Sequence, residues 1–494
     1  MKTGIKISVI CILSLIVLSS LAMYQVHDGP YQATGIKIGE VTPSSVILWT
    51  RLTLNPQRIG SDAPQPTILY KDSITGKPRT IKGEGRPSLE PVVIYPDGYN
   101  VNNIDGAVPG TPGRVRVVYK TNSASQWQMT DWKDVAVDHD FTHQFKLDNL
   151  QSETEYELRV ECQSMKGEAG QVIEGKFTTA PPPDRPVKVI FTVVTGQNYK
   201  TRDDGARGYK IYPLMLKLNP SFFVHTGDIV YYDQFAKNID LARWHWQCIY
   251  SLPSHLEFHR LVNCYFIKDD HDTWMDDCYP HLKTKFMGDF TFKQGQQVFL
   301  DEVPMSDSTW RTFRWGKDLQ IWLPEGRDFR SDNYAPDGPQ KTIWGEKQKE
   351  WFKRSVRASD ATFRVLISPT PIVGPDRGTK NDNHANVGFT HEGNELREFI
   401  ASQKNMIVIC GDRHWQYVSK DLKTGLHEYS CGPQTDKHAG GWSNDRVLPE
   451  HEYLNVVGGF LAAIVDRIDG KPVITLRHYS VDGKILHEDQ RFAQ

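Results

Sequence analysis

The chain has 494 residues, with 58 Lys and Arg against 60 Asp and Glu, for a formal net charge of -2. That balance argues against a general phosphate-backbone binder, so no stable nucleic-acid complex is expected. Hydrophobic residues at 39% and aromatics at 11% supply a sizeable core, which excludes wholesale disorder, and the length suggests about two or three domains.

Residues 1–22 read as an export signal. Lys2 and Lys6 precede the apolar stretch 7–18, and Ser20-Leu21-Ala22 offers small residues for cleavage after Ala22. The stretch is short for a membrane span, and no later run approaches one. An exported chain, periplasmic or extracellular and without a span after cleavage, is expected. Its remaining cysteines are Cys162, Cys248, Cys264, Cys278, Cys410 and Cys431. Export permits disulfides among them, and buried free thiols are the other reading.

Residues 30–180 follow a β pattern. Val46-Ile47-Leu48-Trp49 is a buried run after the turn Pro43-Ser44-Ser45. Arg114-Val115-Arg116-Val117-Val118-Tyr119 alternates, and Tyr156-Glu157-Leu158-Arg159-Val160-Glu161-Cys162 alternates strictly. Period-two segments between turn signals predict a small all-β sandwich. Residues 83–113, rich in Gly, Pro and Asn, read as a long irregular loop. Pro181-Pro182-Pro183 then marks a domain boundary.

From 186 to 494 the grammar changes to α/β. Strands are predicted over 187–194, 221–225, 262–267, 319–323, 363–367 and 407–410, with helices over 211–218, 346–358 and 394–403. Buried strands alternating with helices predict a layered domain whose site lies beyond the strand ends. Three of those ends carry chemistry: Gly227-Asp228-Ile229-Val230-Tyr231, Asp269-Asp270-His271-Asp272 and Gly411-Asp412-Arg413-His414. Each alone suits a turn or a cap. Together they bring carboxylates to one place, where a cation must sit between them or they must share protons. Carboxylate, imidazole and phenolate suit Ca, Mn, Zn or Fe(III). Arg327, Arg330 and Arg413 follow similar strand ends, so an anion-binding face beside the metals is expected. Metals, Arg and a free His make a site for hydrolysing phosphoesters.

The ordered motifs Gly227-Asp228-Ile229-Val230-Tyr231, Asp269-Asp270-His271-Asp272, Glu325-Gly326-Arg327-Asp328-Phe329-Arg330 and Gly411-Asp412-Arg413-His414 resemble the PhoD-like alkaline phosphatase D group of the calcineurin-like metallophosphoesterases. Gly35-Ile36 to Leu52 and Gly175 to Pro181 are similar to the opening and close of that family's N-terminal β domain. The resemblance implies an αββα metallophosphoesterase sandwich after a fibronectin-like domain, and a phosphate mono- or diester as substrate. It implies that Asp228 bridges two metals and that Tyr231 binds an iron-like ion. Asp270, Asp412 and His414 would bind metal as well. His271 would contact the phosphoryl group or protonate the leaving oxygen, and Arg327 would stabilise charge on the phosphoryl oxygens, with Arg330 and Arg413 as further substrate contacts.

One departure stands out. The family's first strand ends in Ser-Cys-Gln, with Cys as an iron ligand, whereas this one ends in Thr195-Gly196-Gln197. Asn198, Thr195 or water are candidates to fill the gap, with a divalent ion of the Ca, Mn or Zn class, or iron, in the site. Gly196 is also the one residue favouring an alternative, a non-catalytic metal- or phosphate-binding scaffold. His384 and Asn386 read as late ligands, substrate contacts or surface-loop residues. Trp274, Trp415 and Trp442 read as core packing or as platforms for a sugar or base.

Overall fold

The computed structural model describes residues 29–72, 78–79 and 89–494. The export signal over 1–22, and part of the loop expected over 83–113, lie outside the described residues. The α/β region folds as two facing sheets. The parallel centre of the first is built from β1 (Ile36–Gly39), β2 (Val189–Val194), β3 (Phe222–His225) and β4 (Asn263–Phe266), in the spatial order β2-β3-β4-β1. The second sheet sets β5 (Leu319–Leu323), β6 (Phe363–Ser368), β7 (Met406–Cys410) and β8 (His427–Cys431) side by side in parallel.

Side-chain alternation explains the layering. Phe222 and Val224 face the core between the sheets, together with Val365 and Ile367 of β6. Phe223 faces the other way, into a core with α1 (Ile211–Lys217), α2 (Ile239–Tyr250), α3 (Pro253–His259) and α4 (Phe292–Glu302). Leu366 likewise packs outward against α5 (Glu346–Ala358) and α6 (Thr390–Ala401). The result is a mixed α/β fold with helices on both outer faces, the arrangement that buries strands apolar on both sides.

The N-terminal strands do more than form a separate sheet. β1 pairs in parallel with β4, and Val46–Arg51 and Thr142–Leu147 extend the same nine-stranded sheet outward. The remaining strands before residue 180 form a five-stranded sheet around Glu155–Gln163 and a three-stranded one. Strict alternation in Glu155–Gln163 is matched by burial of Tyr156, Leu158, Val160 and Cys162. The Pro run thus marks a change of sequence pattern, while the sheet crosses it. Backbone pairing over such a distance has no local signature in the sequence. The strands Phe460–Ile468, Lys471–Tyr479 and Ile485–Phe492, joined by turns at Asp469-Gly470 and Asp482-Gly483, form a meander that extends the sheet beyond β2. Cys162, Cys248, Cys264, Cys278, Cys410 and Cys431 are all buried free thiols.

Polar side chains lock the N-terminal strands in place. Lys37 Nζ donates to the Glu302 carbonyl at 2.8 Å and lies 3.3 Å from the centre of a Trp49 ring. Burial pushes this lysine down to about 7, against the pull of Glu302. Arg51 is buried and forks onto both carboxylate oxygens of Asp140 at 2.9 Å, with a third bond of 2.8 Å to the Val108 carbonyl. Removing one partner strands a buried charge. Asp140→Ala is therefore expected to lower the unfolding free energy by about 3–5 kcal/mol, measured by denaturant unfolding. A loss below about 1 kcal/mol, the scale of an exposed pair, would show that the contact is solvated.

Candidate metal centre

Parallel strands bring their carboxyl ends to one edge, and here the edges of both sheets meet. Thr195, just past β2, bridges to Pro433 just past β8, and its Oγ1 accepts from the Asp412 amide at 3.1 Å. The loops leaving β3 and β4 touch because Gly227 has no side chain. Its φ is 107°, and a Cβ there would lie 2.5 Å from the Asp269 Cβ. Asp272 ties the same loops together, accepting from the Ile229 amide at 3.1 Å and the Asp269 amide at 2.6 Å. Asp228 and Asp412 both adopt left-handed backbone, with φ of 56° and 60°. Aspartate tolerates this region better than most residues, and it turns both carboxylates back over the strand ends.

The donors form two adjoining groups. Around the Tyr231 phenol oxygen lie Asp228 Oδ2 at 2.9 Å, His438 Nε2 at 3.2 Å and His414 Nε2 at 3.3 Å. Ligand atoms of Asp228, Asp270 and His271 lie within 4.8 Å of one another, as do those of Asp270, Asp276 and Asp277. Asp228, Asp270, His271, Asp412 and His414 line one cleft of about 240 Å³, whose rim carries Arg377 and Lys380.

Burial makes this concentration of acid costly. It pushes Asp228 up to about 7 despite the pull of His271, and Asp269 up to about 7 despite Arg327. Asp270 is also raised by burial, but Arg327 and His271 outweigh that and hold it well below the usual range. Burial lowers His271, yet Asp233, Asp270 and Asp228 carry it well above its ordinary value. The fixed cations do not neutralise the cluster, and an additional positive ion would. Two contacts fit that ion. Asp228 Oδ1 is buried without a hydrogen-bond partner. The phenol of Tyr231 has one proton, yet three atoms able to accept it crowd its oxygen. Oxygen donors with imidazole suit hard to borderline ions.

The expected anion-binding arginines are placed differently. Arg327 is sealed from solvent and donates to Asp269 Oδ1 at 2.6 Å, with Asp270 at 3.8 Å. Arg330 is buried against the Gly326 carbonyl and Asn333. Arg413 is buried on Asp376 at 2.8 Å and also contacts Asp412. In this structure Arg327 and Arg413 hold carboxylates from behind, Arg330 bonds only a carbonyl and an amide, and none of the three lines the cleft. Strand-end sequence alone does not distinguish a cation that faces substrate from one that neutralises the loop beneath it.

His384 is buried on Glu392 at 2.9 Å, and Asn386 donates to Asp376 at 2.8 Å, so both support loops. Trp274 is core packing, bonded to the Phe290 carbonyl at 2.7 Å. Trp415 contributes to the cleft wall and stacks on Trp442 at 5.3 Å. Asn198 caps the turn Tyr199–Thr201, and the Thr195 hydroxyl contacts the Gly227 carbonyl, so neither fills the place beside Gly196. Sequence reasoning missed Asp233, Arg377, Lys380 and His438. Asp233 lies five residues past Asp228, close enough to have been a candidate. The others sit in loops without a strand-end signal.

Known proteins share this fold. The family described as PhoD-like phosphatase matches residues 191–442. No curated protein is matched by sequence. A solved structure titled as that of PhoD superposes with a TM-score of 0.68 at 16% identity, over 93% of this chain and 88% of that one. The purple acid phosphatase PPD1 from yellow lupin (Lupinus luteus) seeds gives 0.60 at 11% identity, over 90% and 79%. At these identities the likeness shows the fold.

The loop contact at Gly227 generates a test. Gly227→Ala combines a left-handed backbone with a Cβ overlap, so it is expected to cost about 2 kcal/mol or more in stability and to reduce bound metal. Gly378, with open space around it, provides the control. Equal stability and metal content of Gly227→Ala and Gly378→Ala would show that the loops do not need this approach.

Proposed function

The chain belongs to the PhoD-like phosphatase family and is a metal-dependent phosphoester hydrolase; from that premise we propose that it is an exported enzyme hydrolysing phosphate monoesters, diesters or both in the cleft above Asp228 and Asp270. The observation that carries this reading is the buried carboxylate cluster opening onto a cleft lined by the imidazole of His271. When bound, cations there would polarise a phosphoryl group and acidify water.

The chain's own groups divide the remaining work. Asp228, Asp270, Asp412 and His414 would hold the ions, and Tyr231 would add a phenol oxygen. His271 lines the cleft with its Nδ1 3.1 Å from Asp233 Oδ1. That bond fixes the ring and, with Asp270 and Asp228, favours its protonated form, so Nε2 can give a proton to the leaving oxygen. Arg327 acts as a positioning residue through Asp269 and Asp270. Arg377 and Lys380 at the rim supply the positive charge that meets the substrate's outer oxygens, although Lys380 is shared with Asp277 at 2.8 Å. The motif at Lys2, Lys6 and 7–18 supports export, which N-terminal sequencing of protein recovered outside the cytoplasm would check. A non-catalytic scaffold is favoured by Gly196 alone.

Two outcomes test this function. Chelation followed by dialysis is expected to abolish hydrolysis of phosphate mono- and diesters and to lower the melting temperature, because bound metal stabilises the native state by mass action. Full activity in metal-free protein would refute it. His271→Ala is expected to reduce turnover by about two to four decades with metal content near that of the parent. Metal loss in that variant would make His271 a ligand.

A further inference from the structure

We propose that His438 is a metal ligand, supplying to the ion beside Asp228 and Tyr231 the donor that Gly196 lacks. This rests on reading the cluster as a metal centre. It moves the missing donor from the end of β2 to a turn 242 residues later, with imidazole in place of thiolate.

The ring is oriented for that task. His438 Nδ1 lies 3.2 Å from the Gly196 carbonyl oxygen, which can only accept, so Nδ1 carries the proton and Nε2 is left with a lone pair. That lone pair meets the Tyr231 oxygen at 3.2 Å, beside Asp228 Oδ2 and His414 Nε2. A histidine whose second nitrogen donates to a backbone carbonyl is the usual arrangement for ligation. Neighbouring ligands on an ion with bonds of about 2.1 Å are separated by about 3.0–3.4 Å, close to the 2.9, 3.2 and 3.3 Å found around the Tyr231 oxygen. The rings of His414 and His438 lie 4.1 Å apart, tilted by 52°, with both Nε2 atoms near the Tyr231 oxygen.

The backbone holds His438 to this place. Its turn, Asp436–His438, follows β8, and the Gln434 amide donates back to the same Gly196 carbonyl at 3.4 Å. Asp436 Oδ1 accepts from the Gly458 amide at 2.9 Å, pinning the far side of the turn. A side chain at 196 would be crowded. The φ there is 61°, and a Cβ would lie 3.3 Å from His414 ring atoms and from the Pro433 Cβ. The space a thiolate would need is bounded by the very segment that brings in the imidazole. Exchanging an anionic, soft donor for a neutral, borderline one leaves a carboxylate, a phenol and two imidazoles, a set suited to zinc or another divalent ion.

The test uses zinc and cobalt(II) as probes on the full-length protein. In the parent loaded with zinc, X-ray absorption is expected to require two imidazole nitrogens at one site and no sulfur. His438→Ala is expected to weaken zinc binding by at least about tenfold, to shift the visible bands of the cobalt(II) form, and to recover on addition of free imidazole. If His438→Ala does not fold, the absorption measurement on the parent still decides. Zinc bound by the parent with one imidazole at every site, or a variant with unchanged affinity and cobalt spectrum, would overturn the role of His438 and leave the metal centre intact. A parent that binds neither ion would overturn the metal centre itself.

Discussion

Acid concentrated in a buried edge governs this molecule. Asp228, Asp269, Asp270 and Asp272 lie within two loops that touch, and all four are almost wholly excluded from water. Charges so close and so poorly solvated repel, and burial alone raises their affinity for protons. The protein answers in three ways. Arg327 neutralises Asp269 and part of Asp270 from below. Backbone amides of Ile229 and Asp269 satisfy Asp272. Asp228 is left with a buried oxygen that no protein group satisfies, and the proposed cation would complete it.

The surrounding fold follows from holding these loops in register. Parallel strands deliver all their carboxyl ends to one side, so two facing sheets can present loops to each other without crossing the core. Layers of aromatic and branched residues fix the sheet separation, while helices seal the outer faces. The N-terminal strands widen the first sheet, Arg51 and Asp140 tie that extension together, and the hydrogen bond from Lys37 to the Glu302 carbonyl couples it to α4 behind. Tight approaches at Gly227, and left-handed backbone at Asp228 and Asp412, then convert strand ends into inward-facing donors. Rigid placement of this kind is what keeps a charge-dense site from collapsing onto its own counter-ions.

Much of this was legible in the sequence because it is local. Apolar runs ending in Gly-Asp or Asp-Asp-His announce both the strand and the residue placed beyond it, and Asp228, Asp270, His271, Asp412 and His414, named on that ground, line one cleft. Tertiary pairing was not legible. Nothing in Ile36–Gly39 says that its partner is Asn263–Phe266. The arginines show the same limit differently. Their position after strand ends was read as facing an anion, yet depth decides what a guanidinium meets, and Arg327, Arg330 and Arg413 are all buried away from the cleft. His438 was invisible for a related reason. A single histidine in a Gly- and Pro-containing turn has no periodicity, and only the three-dimensional path from β8 brings it to Gly196.

The proposed hydrolase needs its ions at the unsatisfied buried oxygen of Asp228. A crystal structure of the metal-loaded protein, with anomalous scattering to locate each ion, tests that requirement most directly. Ions are expected within bonding distance of Asp228, one also beside Tyr231 and His414 and one beside Asp270. Ions bound only elsewhere, with Asp228 making no bond to any of them, would contradict the account.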